Sequence, residues 1–124
     1  MMIFAVLFFN CASVNRLEVD ADSNRQMGFQ IGDTFLSESV KIKDLVVEKN
    51  SAGNIITNIL FKNMLYSELN IQVKVEFFDE NGIIIDDPWG YKPLVIEGLQ
   101  EKWIKFVSVS PKASTYAISF KSPD

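Results

Sequence analysis

Histidine is absent from this sequence, which removes the usual general base and the commonest metal ligand together. Cysteine occurs once, so no internal disulfide can form and the domain must be held by its core, whatever compartment it occupies. Basic residues form no stripe. With 12 Lys and Arg against 16 Asp and Glu, the formal charge of -4 argues against nucleic acid as a partner. Repeats, low-complexity tracts and shifts of composition are missing too, and a chain of 124 residues is too short for two domains with a linker. What remains is 48% hydrophobic and 23% charged, the composition of a single folded domain rather than a disordered chain.

The clearest pattern runs from Leu69 to Gly82. Ile71, Val73, Val75 and Phe77 alternate with Asn70, Gln72, Lys74 and Glu76, the period of two expected of a half-buried β-strand. Asp79-Glu80-Asn81-Gly82 ends it, because Asn-Gly supplies the positive φ angles of a tight hairpin turn. Before it, Val40 to Glu48 and Asn54 to Lys62 form two apolar-rich runs around Asn50-Ser51-Ala52-Gly53 and predict an antiparallel hairpin. After it, Ile83 to Ile85, Pro93 to Ile96, Lys102 to Val109 and Thr115 to Lys121 read as strands, with Asp86-Asp87-Pro88 breaking the first of them. A helical turn is expected only at Asp33 to Ser39. The fold class is therefore all-β, an immunoglobulin-like antiparallel sandwich of about seven strands occupying residues 33–124.

Residues 1–10 form an apolar segment that stops at Cys11. Its length suits the core of a signal peptide and is too short to cross a bilayer as a helix. It is similar to a bacterial lipoprotein signal, in which Cys11 would be lipidated and begin the mature chain. Phe8 and Asn10 replace the usual Leu and small residue of such a signal, and no Lys or Arg precedes the apolar run. The other reading makes Ile3 to Phe9 a buried first strand and Cys11 an inert core thiol. Residues 11–32 carry little periodic apolar surface and read as a tether or a loosely docked arm, with Leu17 to Val19 and Met27 to Ile31 as short edge strands at most. Ala12, not Asp, follows the cysteine, and by analogy with bacterial sorting rules this points to the outer membrane.

Phe77-Phe78-Asp79-Glu80-Asn81-Gly82, the following Trp89, Leu94-Val95-Ile96-Glu97-Gly98 and the corner from Val107 to Tyr116 follow one another along the chain. By these residues the chain resembles, across residues 40–121, the YcfL-like family of bacterial periplasmic lipoproteins. At that corner Val109-Ser110-Pro111 stands where the family has Val-Ala-Pro. It implies a small sandwich tethered by lipid in the cell envelope, and no established activity or catalytic residue.

Candidate sites are few. Asp79, Glu80, Asp86 and Asp87 could offer carboxylates to a divalent cation or act as an acid-base pair on a glycoside, but turn chemistry accounts for the same residues. Ser108, Ser110 and Ser114 have no His or well-placed Lys to activate them. Pro88-Trp89-Gly90-Tyr91-Lys92-Pro93 places two aromatics and a cation between prolines, so Trp89, Tyr91 and Lys92 form a candidate partner-binding loop. Trp89 could equally plug the end of the sandwich. Trp103 and Phe106 are expected in the core or on a sheet face. The expected function is a lipid-anchored, non-enzymatic interaction or accessory module of the bacterial envelope, with no cofactor or metal. Its partners would be the membrane and an unidentified envelope protein or polymer. The alternatives are a surface binding or adhesion module using the Trp89 and Tyr91 loop, and, third, an enzyme using the turn carboxylates.

Overall fold

The computed structural model describes residues 14–20, 25–30, 32–85 and 90–123. Nine strands and one short helix follow in the order β1 (Val14–Asp20), β2 (Arg25–Gln30), α1 (Thr34–Ser39), β3 (Val40–Lys49), β4 (Ile55–Asn63), β5 (Leu69–Phe78), β6 (Ile84–Ile85), β7 (Lys92–Ile96), β8 (Glu101–Val107) and β9 (Thr115–Lys121). All pairings are antiparallel. The larger sheet runs β2-β1-β9-β5-β6, with β7 paired beside β6 along the same side of β5, and the smaller sheet runs β3-β4-β8. The all-β sandwich expected from alternation is the fold observed.

Alternation on β5 sets the inner face of the larger sheet. Ile71, Val73, Val75 and Phe77 are all buried, and each contributes about 1.5–3 kcal/mol as an upper estimate of apolar burial. From the other sheet, Ile55, Ile59 and Phe61 of β4 and Phe106 of β8 fill the facing layer. Phe61 meets Phe120 of β9 edge to face with ring centroids 5.7 Å apart, tying the sheets together across the core. Tyr116 packs beside Phe77, and burial drives its phenol well above the ordinary range, so it stays neutral.

The N-terminal reading needs correction. Residues 14–20 are no tether: β1 pairs with β9 along seven positions, from Val14 opposite Lys121 to Asp20 opposite Thr115. Nor is β1 an edge, since β2 pairs along its other side and is the outermost strand among the described residues. In immunoglobulin-type sandwiches strands A, B and E share one sheet, and G, F and C with an added C′ share the other. Here β3, β4 and β8 hold the first three places, β9, β5 and β7 those of F, C and C′, and β1 fills the place of G. The domain thus starts no later than Val14, and the described strands number nine rather than about seven.

Asn15 locks this strand in place. Its side chain is fully buried, its Oδ1 accepts from the N–H groups of Gly32 and Asp33, and its Nδ2 donates to the Asp33 carbonyl. Asp33 in turn caps α1, accepting from the Leu36 N–H at 3.0 Å. The helical turn expected at Asp33 to Ser39 is therefore present, and it is fastened to β1.

The β5–β6 turn also differs in detail from a two-residue Asn-Gly turn. Asp79 pairs with Ile83 through the Asp79 N–H, so three residues form the loop, and of these only Gly82 has positive φ, at 80°. This is the three-residue hairpin whose left-handed position requires glycine, leaving Asn81 in ordinary backbone space.

Replacing Asn15 by Ala strips three hydrogen bonds from a buried site and leaves two backbone donors unmatched. The expected loss is about 2–4 kcal/mol, read as a lowered urea midpoint. A residue in a free tether would leave that midpoint where it was.

Candidate functional site

The outer face of the larger sheet carries the densest polar arrangement among the described residues. It is set by register. On β9, Ala117 and Ser119 point outward, and their small size leaves a shallow floor between the long side chains of β1 and β5. Arg16 and Lys74 stand opposite Ser119 from its two sides, and Glu76 stands opposite Ala117. These neighbours fold over the floor, so Ala117 and Ser119 are buried although they face outward.

Arg16 reaches across β9 to a hydrogen-bonded ion pair with Glu76, and its guanidinium lies 5.7 Å from the centre of the Phe78 ring. Lys74 approaches the same carboxylate at 3.3 Å. Burial of Glu76 works against its ionisation and is the largest single influence on it. The Arg16 hydrogen bond and the charges of Arg16 and Lys74 together outweigh that, and hold the carboxyl below its ordinary 4.5.

Tyr91, just before β7, completes the face. The Lys121 ammonium lies 4.7 Å from its ring centre and the Lys74 ammonium 5.2 Å. Two cations flank one aromatic ring, each in the range where the ring's negative face attracts a cation. Among the described side chains, Arg16, Lys74 and Lys121 share this face with one carboxylate, Glu76, and in the strand register Glu18 pairs with Ala117. Ammonium groups beside an aromatic ring are groups that a carboxylate or phosphate can meet.

The residues singled out from the sequence do not all converge here. Tyr91 belongs to this face. Lys92 does not: it stands opposite Val73 on the inward-facing row, its ammonium sits 4.7 Å from the Phe106 ring centre, and it donates to the Lys105 carbonyl at 3.4 Å. Tyr91 and Lys92 are thus split by the pleat, which sends adjacent residues to opposite faces. Trp89, Asp86, Asp87 and Cys11 lie outside the described residues. Asp79 is engaged in its turn, its Oδ1 accepting from the N–H groups of Asn81 and Ile83. No group of three metal-ligating side chains gathers among the described residues. Ser108 is a buried bridge, donating to the Ser110 carbonyl and accepting from the Ile55 N–H. Phe106 lies in the core, whereas Trp103 stands on the outer face of the smaller sheet, half exposed and opposite Leu60. Arg16, Lys74, Glu76 and Lys121 carried no local signal as a site, because only strand pairing brings them together.

A family model described as a protein of unknown function, DUF1425, matches residues 28–122. Two solved structures share the fold. One is a DUF1425 family member from Shewanella sp. pv-4, 16% identical, with TM-score 0.62 over 68% of this chain and 79% of that one. The other is cj0090 from Campylobacter jejuni, 19% identical, with TM-score 0.55 over 66% of this chain and 85% of that one. No curated protein matches the chain.

The Glu76 ion pair makes a pH prediction. Because the folded carboxyl titrates below its unfolded value, its contribution to stability is complete above that value and is lost as pH falls through the folded one. Urea unfolding of wild type and Glu76→Gln should show the wild type ahead at pH 7, with the gap closing steadily below about pH 4.5. A gap that stays constant from neutral pH to about pH 2 would mean that the pair contributes nothing through charge.

Proposed function

The chain belongs to the DUF1425 family of proteins of unknown function, and we propose that it is a lipid-anchored protein of the bacterial cell envelope acting as a non-enzymatic interaction module. The observation that carries this reading is the apolar segment ending at Cys11, set only three residues before the strand that enters the sandwich at Val14. Acyl chains on Cys11 would fix the module at the membrane, since each buried methylene contributes about 0.8 kcal/mol and two chains give a stable anchor. The motif resemblance to YcfL-like lipoproteins supports the same placement, and Ala12 after the cysteine favours the outer membrane over the inner.

The interaction face on this reading is the one around Tyr91. Its ring is held by the Lys74 and Lys121 ammonium groups, so it can receive an anionic group of an envelope polymer or an acidic protein without first becoming ordered. Positioning a large side chain in advance lowers the entropic cost of binding. This narrows the binding-loop alternative to Tyr91 and its two lysines, without Lys92.

Intact mass of the protein extracted from its own membranes tests the anchor. The expected chain starts at Cys11 and carries acyl groups, and Cys11→Ala should abolish incorporation of a palmitate analogue. A chain still beginning at Met1 without acyl mass would refute the anchor and return the apolar segment to the fold.

A further inference from the structure

One end of the sandwich gathers exposed apolar residues, and it is the end from which the N-terminus leaves. Val14 opens β1 there, opposite Lys121 at the end of β9. Asn15 holds Asp33 and so the start of α1. The Ser39 carbonyl at the other end of α1 accepts the Met64 N–H at 2.7 Å, and the Leu65 carbonyl accepts the Leu99 N–H at 2.9 Å. A single chain of hydrogen bonds therefore links the N-terminal strand, α1, the loop after β4 and the turn before β8. On these segments Phe35 is 67% exposed, Tyr66 90%, Met64 43% and Leu99 40%.

The two loops are held rigidly. Asn63 is fully buried, and its amide donates to the carbonyls of Ser67 and Ile96, 2.8 and 3.0 Å away. At Gly98 a Cβ would fall 2.1 Å from the Tyr66 carbonyl oxygen, so only glycine permits the loops to meet. Leu99 takes a left-handed conformation, φ 59°, which costs a non-glycine residue about 1–2 kcal/mol and persists because its neighbours fix it. Apolar side chains on rigid loops lose little entropy when they are covered.

We propose that this end is a membrane-docking surface and that its occupant is the interfacial layer of a zwitterionic phospholipid bilayer. The inference rests on the lipid-anchor reading and deepens it. From Cys11 to Val14 is three residue steps, a span of at most roughly 10–11 Å, so an anchored domain cannot stand away from the bilayer. Val14 and the loops bonded to its end are then held at headgroup level, where a tyrosine with an apolar body and a polar tip is at home. Glu38, Glu68 and Glu97 are exposed on the same segments and balance Lys41, Lys62 and Lys121 at this end, so the described residues show no cationic excess that would select anionic lipid.

The test uses the chain from Cys11 onward, which holds every described residue. Its single cysteine is coupled to a maleimide lipid in phosphatidylcholine vesicles, and hydroxyl-radical oxidation is compared with that of the same chain capped and free in solution. Met64 and Tyr66 should oxidise at least about fivefold more slowly on vesicles, as expected for side chains withdrawn from water into the interface. Ile83 and Ile84, exposed at the far end of β5, should be unchanged. Phe35→Ser combined with Tyr66→Ser changes only exposed positions and should remove the protection of Met64 while the melting temperature holds. Equal oxidation on and off the vesicles overturns the docking surface, and so does protection that survives the double substitution, which would be shielding by proximity. Acyl mass on the native chain is read separately, so a failed anchor and a failed docking surface are told apart.

Discussion

The pairing of β1 with β9 is the constraint on which the rest of the molecule depends. β9 is buried on both faces, with Tyr116, Ile118 and Phe120 inward and Ala117 and Ser119 outward, and a strand so placed needs partners along both edges. β5 supplies one and β1 the other. Without β1, the N–H and C=O groups along that edge of a central strand would lose their ladder. The same pairing places Arg16 within reach of Glu76 and fastens α1 through Asn15. One strand, drawn from the start of the chain to its last strand, thus completes the sheet, builds its outer polar face and orders the end that carries the loops.

How legible this was differs sharply between β5 and β1. On β5 four inward positions are all apolar, the turn that ends it is local, and nothing competes with the period of two. β1 is seven residues long, its buried row opens with the polar Asn15, and Val14 to Asp20 shows no unbroken apolar alternation in the sequence. Its partner lies about a hundred positions away, so no spacing within the segment could announce it. The polar Asn15 that hid the strand is the residue that fastens it. In the same way Lys92 looked like a companion to Tyr91 because they are adjacent, yet in a strand adjacency separates side chains instead of joining them.

The candidate face shows the electrostatic counterpart of that lesson. Summed over the chain, charge is negative and says only that nucleic acid is a poor partner. Sorted by sheet face, the described side chains set Lys74 and Lys121 against the Tyr91 ring and Arg16 against Glu76. A fully exposed ion pair is worth under about 1 kcal/mol, but here the partners are partly buried and shared: Glu76 serves both Arg16 and Lys74, and Lys74 serves both Glu76 and Tyr91. Side chains fixed by one contact spend less entropy on the next, so the network keeps Tyr91 oriented.

Geometry then separates the two surfaces by task. β5 runs from Leu69 at the end where the N-terminus leaves to Phe78 at the other, a length of about 30 Å, and Lys74 lies midway along it. On the docking we propose, with the loops of Phe35, Met64, Tyr66 and Leu99 against lipid, Lys74 would lie some 15 Å above the surface, about two Debye lengths from headgroup charges at physiological salt. On that reading Lys74 would stand clear of headgroup charge, while Lys121, opposite Val14, would lie nearer the bilayer. A long flexible tether would let the domain turn any face down onto the lipid. The short step from Cys11 to Val14 would instead, on the anchor we propose, select the end of the sandwich that meets lipid.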